Sequence, residues 1–215
     1  MSLVHRLVHD AATLGVALTE HDAARLLQLL DELERWNHAY NLTAITKREE
    51  MVTHHLLDSL AIHRDLRGAA IADIGTGAGF PGLPLALANP ERRFTLIDSN
   101  GKKIRFVAHA AHVLGLFNVE GVHERVELLR PQMPFDTVVA RAFASVPELL
   151  ARVEPLCGPH TRVLAMKGKW PSEELAAIPP GWRVEESHEL VVPGLDEARC
   201  TVVVVPEPGL FIGNA

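Results

Sequence analysis

The chain has 215 residues, of which 47% are hydrophobic and 22% are charged, a composition that predicts one sizeable packed domain with a modest appendage. Its formal net charge of −6 argues against coating nucleic acid by electrostatics alone, because each phosphate contact needs a local cation. The absence of a membrane-length apolar run, of a signal-peptide pattern and of a cysteine framework leads us to expect a cytoplasmic protein with no membrane contact.

The N-terminal part of the chain, residues 1–68, has the pattern of helices. Thr19 followed by Asp22 resembles a helix-capping signal, and apolar residues then recur at helical spacing. A second helix is expected from about Arg48 to Leu66. Because periodic apolar faces usually pack into a core, we expect this segment to form a helical cap on residues 69–215 rather than an independent domain.

From residue 69 onward, short apolar runs alternate with helical stretches. The expected strands are Ala70–Ile74, Arg93–Asp98, Asn118–Val122, Phe135–Ala140, Arg162–Lys167, Trp182–His188 and Cys200–Val205. The expected helices are Leu83–Ala88, Lys102–Leu114, Val146–Leu156 and Ser172–Ala177. This alternation predicts an α/β fold with a mostly parallel sheet covered on both faces. Because no clear helix separates the last two runs, the final strand is expected to enter antiparallel.

The most informative stretch is residues 71–82, Ile-Ala-Asp-Ile-Gly-Thr-Gly-Ala-Gly-Phe-Pro-Gly. It predicts a strand that runs into a glycine-rich turn, where the backbone can approach a ligand closely, and then a helix. In an open α/β sheet, ligands bind at the carboxyl ends of the strands. Asp98 ends the next expected strand and can accept hydrogen bonds from both hydroxyl groups of a ribose. The alternative interpretation is that the loop binds no ligand and the glycines only make a tight turn between the strand and the helix.

Two cofactors fit this loop. The glycines of residues 77–82 satisfy the dinucleotide pattern GxGxxG, which is weak evidence on its own. Asp73, however, lies before the first glycine, where a dinucleotide site usually has an apolar residue. Pro81 and Pro84 lack the amide donors that a pyrophosphate would use. S-adenosylmethionine carries an ammonium and a sulfonium, which a nearby carboxylate suits, so the loop favours this methyl donor over NAD.

Beyond the loop, further short motifs carry a resemblance to one family. In chain order they are Asn41–Ile45, His55–Leu60, Asp73–Pro84, Leu96–Ser99 with Gly101–Lys103 and Phe106, Arg125–Glu127, Arg141–Ala144 and Lys167–Gly168. Each motif is weak alone, but the ordered set spans roughly residues 36–200. The chain thereby resembles the bacterial RsmG (GidB) family, which methylates N-7 of a guanine in 16S rRNA. Leu128 and the non-basic end, residues 206–215, depart from the family pattern.

The resemblance implies a Rossmann-like class I S-adenosylmethionine-dependent methyltransferase with a seven-stranded sheet, acting on guanine 527 of 16S rRNA. It implies a cofactor site that contains Gly75, Phe80, Asp98, Val126, Glu127 and Arg141. Arg141 would also face the target base, and Lys167 is a second candidate for the catalytic site. As a contact, Arg141 suits a phosphate or the O6 edge of guanine. As a structural residue, it would instead pair with Asp136 or Asp73.

The chemistry of this reaction asks for few catalytic side chains. Guanine N-7 has an in-plane lone pair and no proton, so methyl transfer needs orientation and close approach rather than a general base. Methylation of an exocyclic amine commonly uses an Asn/Asp-Pro-Pro-aromatic loop after the fourth strand, and this sequence has no such loop there. Cys157 and Cys200 are expected to be buried thiols rather than nucleophiles. The histidines, including His5 and His9, lack the spacing of a metal site, and no metal is expected.

The expected partner is 16S rRNA or the small ribosomal subunit, bound by a monomer. Candidate RNA-contacting cations are Arg35, Lys47, Arg48, Lys102, Lys103, Arg105, Arg141, Lys167 and Lys169. Three alternatives remain open from the sequence. The chain could methylate another substrate, it could be an NAD-dependent oxidoreductase, or it could be a non-catalytic RNA-binding module on a methyltransferase fold.

Overall fold

The computed structural model describes residues 1–143 and 145–211. Ala144, which belongs to the motif after the fourth expected strand, and residues 212–215 of the non-basic end lie outside the described residues. Within the described part of the chain, no helix is both long and apolar enough to cross a membrane.

Seven strands in the described residues form a single sheet in the order β3-β2-β1-β4-β5-β7-β6. Their bounds are β1 Ala70–Ile74, β2 Arg93–Asp98, β3 Val119–His123, β4 Thr137–Arg141, β5 Arg162–Lys167, β6 Trp182–Glu189 and β7 Cys200–Pro206. Strands β1 to β5 pair in parallel, whereas β7 pairs antiparallel with both β5 and β6. The predicted mostly parallel sheet and its antiparallel final strand are both confirmed.

The largest shift of a strand boundary is at β4, which begins at Thr137 rather than at the expected Phe135. The amide of Phe135 donates to the carbonyl of Leu156 at 3.0 Å, so this residue does not join the ladder of a neighbouring strand. Strand β3 is displaced by one residue from its expected position, a difference that is common at element ends.

Helices cover the sheet and precede it. Their bounds are α1 Leu3–Thr13, α2 Glu20–Tyr40, α3 Arg48–Met51, α4 Asp58–Leu60, α5 Gly82–Ala88, α6 Gly101–Val113, α7 Val146–Val153 and α8 Ser172–Ala176. The predicted cap of α2 is confirmed, because the Thr19 hydroxyl accepts from the Asp22 amide at 3.1 Å and the Asp22 carboxylate accepts from the Thr19 amide at 3.2 Å. Helix α1 was not predicted as an element; Ser2 caps its first turn.

The prediction of one continuous helix from about Arg48 to Leu66 is wrong. A π-helical turn, Val52–Leu57, separates α3 from α4, and a short 3₁₀ segment, His63–Asp65, follows. The amide of Asp58 donates to the carbonyl of Thr53, five residues earlier, so the turn is one residue wider than in an α-helix. Residue propensities do not distinguish these two registers, and such insertions are frequent at functional sites.

Apolar side chains fill both faces of the sheet. One cluster joins Leu7 of α1, Leu30 of α2 and Leu57 of the π-helical turn to residues of the sheet and of α5 and α6. The other cluster packs α7 against the opposite face. At the junction, Trp36 and Phe106 place their ring centroids 5.6 Å apart, and the Arg25 Nε donates to the carbonyl of Leu114 at 3.1 Å. We propose that residues 1–68 are a cap and residues 69–215 an α/β core that together form one folding unit.

Replacing Leu30 by alanine tests this proposal. Leu30 is fully buried in the shared cluster, so the cavity left behind is expected to lower the free energy of unfolding by about 2–5 kcal/mol. Urea unfolding followed by circular dichroism and tryptophan fluorescence should show one coincident transition. Leu128→Ala, at a side chain that is 63% exposed, is the control and should change stability by less than about 0.5 kcal/mol. Two separate transitions would contradict a single unit.

Candidate functional site

The glycine-rich loop after β1 is tied to the end of β2. Gly75 and Gly77 have φ angles of 66° and 61°, a region that favours glycine. The Gly75 and Thr76 amides donate to the carbonyl of Ile97 at 2.8 and 3.0 Å. The Gly77 amide donates to Asp98 Oδ2 at 3.0 Å. The loop therefore presents its backbone at the carboxyl ends of the central strands, as the sequence predicted.

A cavity of about 330 Å³ opens beside this loop. We call it the donor cavity, after the methyl donor that the glycine loop is expected to bind. Its lining includes the predicted cofactor-site residues Gly75, Asp98, Val126, Glu127 and Arg141. The short 3₁₀ segment after β3 supplies Val126, which is buried, and Glu127, whose carboxylate lies 3.3 Å from Arg152. Residues that are far apart in the sequence thus meet at one edge of the sheet.

Phe80 is the exception among the predicted cofactor-site residues. Its side chain is buried and stacks on the His55 ring with a centroid separation of 4.7 Å. The Arg141 guanidinium lies 5.8 Å from the Phe80 ring centroid, in cation–π range. The structure therefore places Phe80 beneath Arg141, outside the described lining of the donor cavity.

Asp98 is held firmly at the end of β2. In addition to the Gly77 bond to Oδ2, its Oδ1 accepts from the Asn100 amide at 2.8 Å, and Lys103 Nζ lies 3.7 Å from Oδ2. Only 8% of the side chain is exposed. Each carboxylate oxygen can accept more than one hydrogen bond, so acceptor capacity remains for a ligand hydroxyl. The residue fits the predicted ribose-binding role.

Asp73 braces the loop from inside. Its Oδ2 accepts from the Thr76 hydroxyl at 2.6 Å and from the Gly82 amide at 2.8 Å. Its Oδ1 is buried and has no hydrogen-bond partner among the described residues. A Cβ at Gly82 would lie 2.7 Å from this carboxylate and from Leu96, which explains that glycine sterically. From the sequence we expected a carboxylate near the methyl donor; in the structure the Asp73 side chain is buried and bonded within the loop.

Burial raises the pKa of Asp73 to about 6, against the opposing effects of its bonds to Thr76 and Gly82. Because the folded pKa is raised, the stability that the protonated carboxyl contributes is full below about pH 4 and is lost as pH rises through 6. A shift of this size corresponds to a penalty on the order of 3 kcal/mol at neutral pH.

Asp73→Asn removes this ionisation while keeping an acceptor oxygen for Thr76 and Gly82. We expect the stability of the variant relative to the natural chain to increase between about pH 4 and pH 7. Urea unfolding at several pH values in this range measures the difference. A constant difference in unfolding free energy across the range would contradict the assignment.

A second cavity, of about 440 Å³, lies next to the donor cavity. We call it the acceptor cavity, after the target base that Arg141 is expected to face. Arg141 and Ala142 line both cavities. Ala142 has a φ angle of 51°, which is uncommon for a residue other than glycine and is typical of functional sites when the surrounding structure enforces it. The backbone therefore turns sharply at the end of β4, where the two cavities meet.

Arg141 is anchored to the wide turn between α3 and α4. Its Nη1 donates to the His54 carbonyl at 2.9 Å and to Asp58 Oδ2 at 3.2 Å. Neither Asp136 nor Asp73, the structural partners considered from the sequence, forms a hydrogen bond or close ion pair with Arg141, although the Arg141 charge lowers the pKa of Asp73. Asp136 Oδ2 instead accepts from the amides of residues 69 and 70. A long-range contact to a helix 83 residues earlier in the chain is not visible in the sequence pattern.

Lys167, the second catalytic candidate, lies at the end of β5 and lines the acceptor cavity. Its Nζ lies 2.8 Å from Glu174 Oε2, and the same carboxylate accepts from the Val146 amide at 2.6 Å. The lysine is therefore held toward α7 and α8.

Sequence reasoning did not single out Asp58, Arg199 and His55 as candidate site residues. All three line the acceptor cavity, and both arginines of that cavity pair with Asp58. Burial, followed by the charge of Arg141, lowers the pKa of His55 to about 4, so its ring is uncharged at neutral pH. Its Nε2 lies 3.0 Å from the Thr43 hydroxyl. The sequence feature that could have pointed to His55 and Asp58 is their place in one motif, His55–Leu60.

The remaining predictions concern cysteines, metal ligands and cations. Both cysteines are buried free thiols, as predicted, although Cys200 borders the acceptor cavity. The described residues contain no group of three or more His, Cys, Asp or Glu side chains that could hold a metal ion. Several predicted RNA-contacting cations already pair with acids, among them Arg35 with Glu32 and Lys47 with Glu50.

Solved structures with the same fold define the class of protein. The magnesium protoporphyrin IX methyltransferase of Synechocystis PCC 6803, solved with bound S-adenosylmethionine, superposes with a TM-score of 0.60 at 13% identity, covering 89% of this chain and 99% of that one. A methyltransferase of Thiobacillus denitrificans, solved with S-adenosyl-L-homocysteine, gives a TM-score of 0.54 at 13% identity over 81% and 98%. The fold is that of Rossmann-like, S-adenosylmethionine-dependent methyltransferases.

The family follows from the sequence comparisons. Residues 22–203 match the family model GidB, rRNA small subunit methyltransferase G. Ribosomal RNA small subunit methyltransferase G of Pseudomonas paraeruginosa is 48% identical over 92% of this chain and 93% of its own length. The protein of the same name from Nitrosococcus oceani is 47% identical over 90% of each chain. The chain belongs to the GidB family of rRNA small subunit methyltransferases and is an S-adenosylmethionine-dependent methyltransferase, which excludes the oxidoreductase alternative.

Proposed function

We propose that this chain transfers the methyl group of S-adenosylmethionine to N-7 of a guanine in 16S rRNA, with guanine 527 as the family-typical position. The observation that carries the proposal is the meeting of two cavities at Arg141 and Ala142. One cavity has the glycine loop and a carboxylate suited to a ribose. The other has basic side chains suited to a nucleotide. A methyl donor and a target base bound in them would meet at the end of β4.

The residues of the donor cavity fit the methyl donor. Asp98 retains acceptor capacity for ribose hydroxyls, and the apolar side chain of Val126 with neighbouring Glu127 would border the adenine. Gly75 leaves the cavity wall without a side chain. We propose that Phe80 acts indirectly, because it supports Arg141 from below. When bound, the donor supplies an electrophilic methyl group on a sulfonium.

The chain's own residues then have to orient the base rather than move a proton. The lone pair of N-7 forms the new bond while the bond from sulfur to the methyl group breaks and leaves its electron pair on sulfur. Neither N-7 nor the sulfonium sulfur carries a proton, so no general base is needed. Since N-7 must face the methyl group, Arg141 could contact only O6 on that edge of the guanine, or a phosphate. Lys167, held by Glu174, is a second candidate for such contacts.

We propose a cytoplasmic monomer that needs no metal ion and recognises rRNA in the context of a small subunit or its precursor particle. The net charge of −6 makes binding by general electrostatics weak, so local cations and shape would supply the affinity. Lys102, which is exposed at the start of α6 and lies 5.9 Å from the Tyr40 ring centroid, is a cation that fits such contacts.

Methyl transfer to small ribosomal subunits that lack the modification tests the proposal. The purified chain, radiolabelled S-adenosylmethionine and either these particles or deproteinised 16S rRNA should label RNA, and cleavage at 7-methylguanine should map one nucleotide. Label in ribosomal protein or at another base atom would favour a methyltransferase with a different substrate. Tight donor binding without any labelling of RNA would favour a non-catalytic module.

A further inference from the structure

Asp58 lies at the floor of the acceptor cavity and joins two arginines. It is 3% exposed and begins α4, directly after the π-helical turn. Its Oδ2 accepts from Arg141 Nη1 at 3.2 Å, and its Oδ1 accepts from Arg199 Nε at 3.2 Å. Arg141 ends β4 and Arg199 precedes β7, the two strands that flank β5. One carboxylate thus connects two separate strand ends.

The pairing leaves donor groups of both arginines available. The bonds of Arg141 use only Nη1, so its Nη2 and Nε groups make no hydrogen bond to the described part of the chain. Arg199 donates through Nη1 to the Ala198 carbonyl at 2.9 Å. Its Nη2 lies 3.9 Å from Glu197, whose side chain is 60% exposed, so solvent weakens that pair. Both arginines line the acceptor cavity.

Stability alone explains this arrangement poorly. Burying a carboxylate is costly, and a buried ion pair often contributes no more than apolar side chains of the same volume would. What the arrangement does provide is orientation, because a guanidinium that is fixed along one edge presents its other edge in a defined direction. The pair lies on the wall of a cavity that meets the donor cavity, where a fixed orientation of the guanidinium groups would help to place a bound nucleotide.

We propose that Asp58 is a positioning residue for the target nucleotide and that Arg199 is a second nucleotide-binding arginine beside Arg141. Asp58 holds the two guanidinium groups so that they bind acceptor oxygens of the nucleotide, either guanine O6 or its phosphate. This inference rests on the proposed function, because it assigns the acceptor cavity to the RNA substrate.

Asp58→Asn tests the positioning role. Asparagine keeps one acceptor oxygen and places an amide group against the other arginine, so one guanidinium loses its anchor. We expect kcat/KM for undermodified small subunits to fall about 100-fold, as misplacement of a substrate-orienting group by about 1 Å can do. The Kd for S-adenosylmethionine should be unchanged. Glu32→Gln is the matched control: Glu32 is also buried, pairs with Arg35 and His109 at 2.8 and 2.9 Å, and lies outside both cavities, so kcat/KM should be retained.

A double-mutant cycle separates positioning from general damage to the fold. If Asp58 acts through Arg199, adding Arg199→Ala to Asp58→Asn should lower kcat/KM much less than Arg199→Ala does in the natural chain. Multiplicative losses would overturn the proposal. Should Asp58→Asn not fold, Arg199→Lys keeps the charge without the planar fork; the proposal requires reduced kcat/KM, and an unchanged value overturns it.

The same assays distinguish a failure of the positioning role from a failure of the proposed function. If the natural chain methylates guanine N-7 and Asp58→Asn does so with unchanged kcat/KM, the positioning role is wrong and the proposed function stands. If the natural chain labels no RNA, the proposed function fails and the inference fails with it.

Discussion

Replacing Gly75 by aspartate is expected to abolish measurable binding of S-adenosylmethionine. Gly75 lines the donor cavity at a φ angle of 66°, where a side chain is strained. A Cβ there would meet the Phe143 ring at 3.6 Å, an ordinary contact, so the loop itself can accommodate the first carbon atom. The rest of the side chain would occupy the cavity and place a second carboxylate near Asp98. We expect the Kd measured by calorimetry to rise at least about 100-fold, or about 2.7 kcal/mol.

The structure offers a closely matched control for this substitution. Gly115 has a φ angle of 62°, and a Cβ there would meet nothing within 4 Å. Gly115→Asp therefore imposes the same kind of backbone strain and the same charge at a site outside the donor cavity. It should bind the donor as the natural chain does. If a folded Gly75→Asp variant binds with undiminished affinity, the assignment of the loop as the donor site is wrong.

The second large effect is expected for Arg141→Ala, which should leave donor affinity largely intact while turnover falls. Arg141 borders both cavities, but the donor-side contacts expected for the ribose and adenine belong to other residues. Because Arg141 is proposed to orient the target base, its removal is expected to lower kcat about 100-fold, as misplacement of a reacting group by about 1 Å can do. Single-turnover transfer to undermodified small subunits measures this loss, and calorimetry measures the retained Kd for the donor.

Arg162→Ala is the control for removal of a partly buried, paired arginine. Arg162 begins β5 at the opposite end of the sheet, with Glu185 at 3.2 Å and Glu186 at 3.5 Å. We expect its loss to affect stability but not turnover. An unchanged turnover number for Arg141→Ala would remove this residue from the reacting site, and an equal loss of donor affinity would assign it to the donor cavity alone.

The parts of the fold that could be predicted from sequence are those determined by local patterns. Apolar runs placed all seven strands within two residues at their starts, and the Thr19 and Asp22 pair correctly located the start of α2. Glycine spacing after β1 located the loop, and Asp98 lies at the end of β2 as expected. Each of these depends on hydrogen bonds or side-chain periodicity within a few residues, which the sequence displays directly.

The parts that could not be predicted depend on contacts between distant segments. The π-helical turn changes the direction in which His55 and Asp58 point, and propensity does not reveal that change of register. The partnership of Asp58 with Arg199 joins residues 141 positions apart. Asp73 and Phe80 were associated with the cofactor from their place in the motif, but the tertiary structure turns both side chains into the interior. Motif membership identified the correct region, whereas burial decides what each side chain contacts.

A crystal structure of the chain with S-adenosyl-L-homocysteine tests the central claim most directly. We expect the ribose hydroxyls within hydrogen-bond distance of Asp98, the adenine beside Val126, and the sulfur directed toward the junction of the two cavities at Arg141. A nucleoside bound elsewhere, or a ribose turned away from Asp98, would contradict the account.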